Sequence, residues 1–365
     1  MTDTARRGEA RGWALEAVAP ARIEKTLERQ RRESEGDQGG ALVRASVANL
    51  VVVCSERAGG QQALAAVEQL GPRAPSRCVV LIAEPPAGRQ GVRAWARVVH
   101  QDAGTGPGMA WDEVVVQATV DPRHLTAVVL PLLLPELPVF TLWWGTPPFA
   151  HEVFDELASV SDRLIVDSAA FADPPADLTR LAKAASVLTA ALSDCVWQRL
   201  TPWRELLAAP FGGPPLRDAV DRVLRLRVDA VEPTAGLELT GWFASRLGWA
   251  LDRAHLTADG LVGRYATAQG ACEVRLTQAL GSGTLTRVDL QVDAGDGPAS
   301  IRVEAPPGHL VATVEAPGQA TTHRKVGLTR IAGDPAGLGA ELEVFGRDRI
   351  FEQALLQAAA LAERP

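Results

Sequence analysis

Asp167 followed by Ser168 is the pair in this sequence best placed for acid–base or nucleophilic work. It ends a predicted buried strand, Arg163 to Asp167, and ligands of open α/β sheets collect at the carboxyl ends of strands. A strand-terminal Asp before Ser also caps the following turn, a reading that competes with catalysis. A second concentration lies in D-C-V-W-Q-R-L-T-P-W-R-E-L-L-A-A-P-F (194–211), where Trp197, Arg199, Trp203 and Arg204 fall within eight residues. Tryptophan and arginine are enriched where protein partners bind most tightly, yet the same side chains also pack helices onto a core. On a helix beginning at Pro202, Trp203 and Arg204 stand about 100° apart. Trp203 is therefore expected to support the core, and Arg204 or Arg199 to reach a partner. Trp143 and Trp144, ending another predicted strand, complete the candidate partner-binding set.

Familiar catalytic patterns are missing. There is no G-x-S-x-G elbow, no Walker A loop and no H-E-x-x-H pair. His100, His124, His151, His255, His309 and His323 are spread one per segment, and Cys54, Cys78, Cys195 and Cys272 form no C-x-x-C pair, so no metal site is expected. The cysteines are expected to be buried thiols; a redox switch between Cys54 and Cys78, each in a predicted strand of one sheet, is the alternative. Gly104, Gly106 and Gly108 are interrupted by Pro107 and lead into no helix, which makes them a hairpin loop rather than a dinucleotide fingerprint. No cofactor is expected. A net charge of -7 argues against nucleic acid. No apolar run is long enough to cross a bilayer and the N-terminus lacks an apolar signal core, so the expected location is the cytoplasm.

The elements that would position these residues centre on L-P-L-L-L-P-E-L-P-V-F-T-L-W-W (130–144). Pro131, Pro135 and Pro138 break any long helix, and Val139 to Trp144 reads as a strand buried on both faces, as in a parallel sheet. Its exit loop, Gly145-Thr146-Pro147-Pro148, is a candidate site edge. Before it come a helix over Ala19 to Arg32, a polar linker Glu33 to Gly40, strands at Asn49 to Cys54 and Arg77 to Ala83 around a helix at Gln61 to Leu70, and alternating runs at Val92 to His100 and Glu113 to Val120 that suggest an antiparallel edge pair. A helix over His124 to Leu134 leads into the proline junction, and a helix over Leu178 to Leu192, N-capped by Asp177, follows the Asp167 strand. Gly212-Gly213-Pro214-Pro215 is the strongest boundary signal. Beyond it a strand at Arg222 to Val231 and a helix at Leu237 to Leu247 precede strands at 272–278, 284–292, 299–304, 310–315 and 321–327, and a last helix near Arg347 to Ala360 is expected to cover one face of their sheet. The expected architecture is an N-terminal helix and linker (1–40), an α/β domain with a mostly parallel three-layer sheet and an antiparallel edge (41–212), and an α+β domain with an antiparallel sheet (213–365).

Three blocks, P-L-L-L-P-E-L-P-V-F-T-L-W-W (131–144), D-R-L-I-V-D-S (162–168) and W-Q-R-L-T-P-W-R-E-L-L-A (197–208), together resemble the OpcA family of glucose-6-phosphate dehydrogenase assembly proteins. Weaker agreement at 20–27, 44–53, 75–81 and 341–355 extends the likeness over nearly the whole chain. The resemblance implies a non-enzymatic protein that binds glucose-6-phosphate dehydrogenase and promotes its active oligomer. Some family members are linked to thioredoxin control; the lack of a closely spaced cysteine pair here departs from that. Read from the residues alone, the competing function is a sugar-phosphate enzyme, such as a lactonase-like hydrolase, with its site near Gly145 and Asp167, and an architectural protein without a ligand stays open as a third.

Overall fold

The computed structural model describes residues 14–17, 20–38, 43–44, 46–70, 76–83, 91–101, 109–119, 125–327, 338–344 and 346–363. The chain divides into two compact units, one of Met1–Val166, Leu188–Ala191 and Gly339–Phe345, the other of Asp167–Val187, Leu192–Leu338 and Gly346–Pro365.

The first unit is built around β3 (Ala48–Cys54), a run of branched apolar residues buried from end to end. It pairs in parallel with β4 (Ser76–Ala83) on one side and β7 (Val139–Trp144) on the other. With β1 (Ala14–Ala17), β2 (Val43–Arg44), β5 (Gly91–Gln101), β6 (Met109–Thr119), β8 (Arg163–Val166) and β9 (Ala191–Asp194), the sheet order is β1-β5-β6-β4-β3-β7-β8-β9, and β2 lies beside β6. The pair β5 and β6 is antiparallel as its alternation predicts, but β6 is not an edge. It pairs in parallel with β4, and Val114 and Val116 on one face and Trp111 and Val115 on the other are all buried. Helix α1 (Pro20–Gln38) runs six residues into the stretch read as a linker. Ile23 and Leu27 are buried, and Arg77, 2% exposed, joins Glu24 of α1 to Asp112 (3.0 Å), which Arg31 of α1 also meets through its Nε (3.2 Å). A buried arginine with two carboxylate partners is costly to leave half-paired, so this network fixes α1 on the sheet.

The proline junction is shorter in helix than expected: α3 (Leu125–Val129) passes into a 3-10 turn at Leu130–Leu132, while His124 lies outside the described residues. Asn49 clasps it. Its amide donates to the Leu134 and Leu137 carbonyls (3.0 and 3.2 Å) and accepts from Leu134 N–H (2.7 Å), so the start of β3 orders the approach to β7. Helix α2 (Arg57–Leu70) begins four residues before its expected start and ends where expected, and α4 (Glu152–Ser159) follows the exit loop of β7.

In the second unit, α5 (Pro174–Ala185) starts earlier than predicted, because Asp173, not Asp177, caps it through Ala176 N–H (3.3 Å). Leu192, assigned to that helix from its spacing, belongs to β9. Thr201-Pro202 does begin a helix, α7 (Thr201–Ala208), after a short α6 (Cys195–Arg199). An eight-stranded sheet has the order β11-β12-β13-β10-β14-β15-β16-β17, from β10 (Val223–Ala230), β11 (Ala250–Thr257), β12 (Gly260–Thr267), β13 (Gly270–Gln278), β14 (Leu285–Asp293), β15 (Pro298–Glu304), β16 (His309–Glu315) and β17 (Thr322–Gly327). The sheet is mixed rather than purely antiparallel, since β10 runs parallel to β13. One face is apolar and buried, through Leu226, Val228, Leu290 and Ile301; the other carries Arg225, Arg227, Arg275 and Arg302. Helix α8 (Pro233–Leu247) packs on β10 and β13. With α9 (Leu338–Leu342) counted in the first unit, the last helix, α10 (Arg349–Ala362), lies chiefly on α8 and α5 instead of on the sheet. Phe351, Ala354, Leu355 and Ala358 are buried there, whereas Ile350 is exposed.

Candidate functional site

In the first unit the carboxyl ends of β3 and β7 form the point where connections leave the sheet in opposite directions, the position at which open α/β sheets take dinucleotides. The turn from β3 into α2 reads Ser55-Glu56-Arg57-Ala58. It lacks the glycines that tighten such a turn and admit a pyrophosphate to the backbone, and Glu56 sets an exposed carboxylate at the helix start. Gly60 serves packing: a Cβ there would come within 2.9 Å of Ile82. Trp144 closes the crevice from the β7 side, with its indole 3.3 Å from where a Cβ of Gly59 would stand. Trp143 turns inward, 5% exposed, against Phe154 (5.8 Å between ring centroids), which Phe149 meets edge-on at 5.3 Å. Gly145 supports the chain reversal with φ 101°.

The second unit gathers Asp167, Arg199 and Arg204 into a part-buried polar network around the buried Trp203. Asp167 caps the turn Ser168–Ala170 through Ala169 N–H (3.3 Å), the bland role its sequence position suggested. It also receives both terminal nitrogens of Arg199 (2.8 and 3.3 Å), which reaches Glu232 too (3.3 Å). Burial works to lower the Arg199 pKa, but Asp167 and Glu232 outweigh it and hold the guanidinium more firmly protonated than usual. Trp203 is 3% exposed, as its helical position predicts. Arg204 does not point outward. Its guanidinium lies 3.4 Å from the Trp197 ring centroid, donates to Trp197 O and Thr201 Oγ1 (both 2.9 Å), and has its pKa lowered by burial to about 10. Trp197 in turn donates to Asp348 (2.9 Å), the N-cap of α10.

Beneath these arginines lie two acids that the sequence gave no reason to single out. Asp194, ending β9, accepts Val196 N–H (2.9 Å) and Ser168 N–H (3.1 Å). Glu238, on the buried face of α8, meets its carboxylate. Burial, then Asp194, pushes the Glu238 pKa well above its usual range; burial, then Asp167, raises that of Asp194. Two such groups do not readily both ionise, and Glu238, with the larger upward push, is the one favoured to keep its proton; both of its carboxyl oxygens lack a hydrogen-bond partner among the described residues. Ser168, Asp194 and Glu238 are each 0% exposed, which denies them to a substrate from solvent. The four cysteines are free and buried, with Cys54 and Cys272 each pushed up to about 12 by burial. Among the described residues no group of three or more His, Cys, Asp or Glu is placed to hold a metal ion, and no helix is long and apolar enough to cross a membrane.

Residues 67–183 match the family described as glucose-6-phosphate dehydrogenase subunit N-terminal domain, and residues 190–355 its C-terminal counterpart. A protein of Synechocystis sp. named as an OxPP cycle protein OpcA is 36% identical over 129 residues, 35% of this chain and 27% of its own length. A namesake in Synechococcus elongatus is 39% identical over 120 residues, 32% of this chain and 27% of its own length. The alignments thus span about a quarter of these relatives. Among solved structures, an NAD binding oxidoreductase from Klebsiella pneumoniae superposes with a TM-score of 0.51 at 10% identity, covering 87% of this chain and 96% of that one. An oxidoreductase from Sinorhizobium meliloti gives 0.50 at 12% identity with the same coverage. At such identity the likeness is one of fold. The residues at the switch point of this chain, Glu56, Arg57 and Trp144 where glycines and open space are needed, do not fit the dinucleotide that such a fold can carry.

Proposed function

This chain belongs to the OpcA family of glucose-6-phosphate dehydrogenase subunits, and we propose that it is a non-catalytic assembly protein: it binds glucose-6-phosphate dehydrogenase, favours the active oligomer and thereby activates it allosterically in the oxidative pentose phosphate pathway. The observation that carries this reading is a dehydrogenase-like sheet, within a family tied to that enzyme, whose switch point holds Trp144 and Glu56 instead of a cofactor cradle. Such a chain keeps a folded surface for a partner without competing chemistry. It can activate only through a difference in affinity between the states of the enzyme.

Within the partner-binding set we assign contact to Trp144, the partly exposed member at a strand end, with Trp143 packed behind it. Arg199, Trp203 and Arg204 support by holding the second unit together. The hydrolase alternative at Gly145 and Asp167 draws no support, because the Asp167 carboxylate is occupied by Arg199.

The test is to mix the purified chain with glucose-6-phosphate dehydrogenase, follow mass by light scattering and measure rate at subsaturating substrate. A joint species with a raised rate is expected. An unchanged mass distribution together with an unchanged rate would sink the proposal.

A further inference from the structure

On the solvent face of the second unit's sheet, Arg253 of β11 and Arg264 of β12 stand directly opposite each other in register. Like charges so paired, with Cβ atoms about 5 Å apart, repel and weaken a sheet. Among the described residues neither guanidinium has an ion pair or a hydrogen bond. The one acid lining the concavity, Glu273, stands opposite Arg264 in register but is ion-paired to Arg225 (3.5 Å) and Arg275 (3.7 Å), and Asp252 adjoins Arg253 in the chain. In a chain of net charge -7, this corner of the sheet is thus locally cationic.

The two arginines also line a concavity of about 280 Å³, together with His255, Glu273 and the apolar side chains of Leu224 and Val262. That volume falls just short of the range of drug-sized sites, which run from about 300 Å³ upward, and so suits a ligand of few atoms. Two unpaired forks match the geometry of phosphate oxygens, and a phosphate monoester carries a charge of about -1.5 to -2 at neutral pH, enough to neutralise both. Leu224, 49% exposed with no described cover, and Val262 offer a wall for a short carbon skeleton, which a bare anion would not use.

We propose that this concavity is a binding site for a small phosphate monoester, held by Arg253 and Arg264 against the Leu224–Val262 wall. Its occupancy does not require the dehydrogenase, so the test uses this chain alone. Glycerol 3-phosphate is titrated calorimetrically into the full-length protein at fixed ionic strength, and into Arg253→Gln, Arg264→Gln and, as a control, Arg324→Gln on the exposed β17 edge. Saturable binding is expected in the wild type and the control, weakened about tenfold or more in the other two. Because the substitutions relieve repulsion, the unliganded melting midpoint of Arg264→Gln is expected to be no lower than that of wild type, which separates lost binding from lost folding. Inorganic phosphate is expected to bind more weakly, since it leaves Leu224 and Val262 uncovered. The proposal is overturned by absence of saturation at millimolar ligand, by equal binding in Arg264→Gln and wild type, or by inorganic phosphate binding as tightly as the monoester.

Discussion

Arg199 and Arg204 carry the same charge in the same short segment, yet their surroundings give them different work. Arg199 is clamped by two carboxylates, so Arg199→Ala leaves Asp167 and Glu232 without their cation and is expected to cost about 2 to 4 kcal/mol in urea denaturation. A variant as stable as wild type would show that the pair contributes nothing net. Glu238 sets a pH dependence whose sign follows from its raised pKa. The folded protein keeps a proton that the unfolded chain releases above about pH 4.3, so this contribution is fully present below that value and is lost as pH rises toward the folded pKa. Glu238→Gln keeps the shape of the side chain without a proton to lose. It is expected to flatten the fall in stability as pH rises above about 5 relative to wild type; parallel curves for the two proteins would refute the raised pKa of Glu238. Trp144 is where a surface effect should be separable from folding. Trp144→Ala is expected to weaken association with the dehydrogenase about tenfold, or roughly 1.4 kcal/mol, by light scattering or calorimetry.

Helix α8 links the buried acids to the sheet, and its own packing rests on a missing side chain. A Cβ on Gly241 would stand 2.1 Å from the Ala354 carbonyl oxygen and 2.9 Å from Ala358 N, so α10 crosses α8 at backbone contact. Gly241→Ala must push the helices apart and is expected to cost about 1 to 3 kcal/mol. At Gly236, one turn earlier, the nearest atoms are the side chains of Ala230 (3.3 Å) and Leu276 (3.7 Å), and the gain in helix propensity of about 1 kcal/mol offsets the crowding. Equal melting midpoints for the two variants would contradict the close approach. This crossing also explains what could be read in advance and what could not. The strands β3, β4, β7 and β8 were legible because each is a run of branched residues buried on both faces. The hairpin of β11 and β12 was not: A-L-D-R-A-H-L-T exposes nearly every side chain, so no alternation marks it. The α10 stripe was visible in its spacing, but spacing names a buried face without naming what lies against it. Partners far apart in sequence are equally hidden. Asp167 lies 32 residues from Arg199, and Asn49 lies 85 from Leu134, so neither the clamp on a cation expected to reach a partner nor the clasp on the proline junction is visible in local sequence.

A fold of the dinucleotide-binding type with an altered switch point poses a question that neither unit answers by its architecture alone. In an open α/β sheet a dinucleotide would sit at the switch point, here the ends of β3 and β7. The residues there argue the other way. A dinucleotide needs close backbone approach at the helix start and finds Glu56 and Arg57 instead of glycine, with a carboxylate where the pyrophosphate charge would lie. The crevice beside it is narrowed by Trp144 against Gly59. Because charge and bulk act independently, removing one should not restore binding. NADH fluorescence titrations are therefore expected to show no saturation at millimolar cofactor for the wild type, for Glu56→Gly or for Trp144→Ala. Tight, saturable NADH binding by the wild type would reverse the assignment, since the fold would then retain its cofactor and a redox role would outrank assembly. Failure to bind while the chain still shifts the oligomeric state of the dehydrogenase would place its function in that surface rather than in the crevice, as expected when a fold is kept and its site is lost.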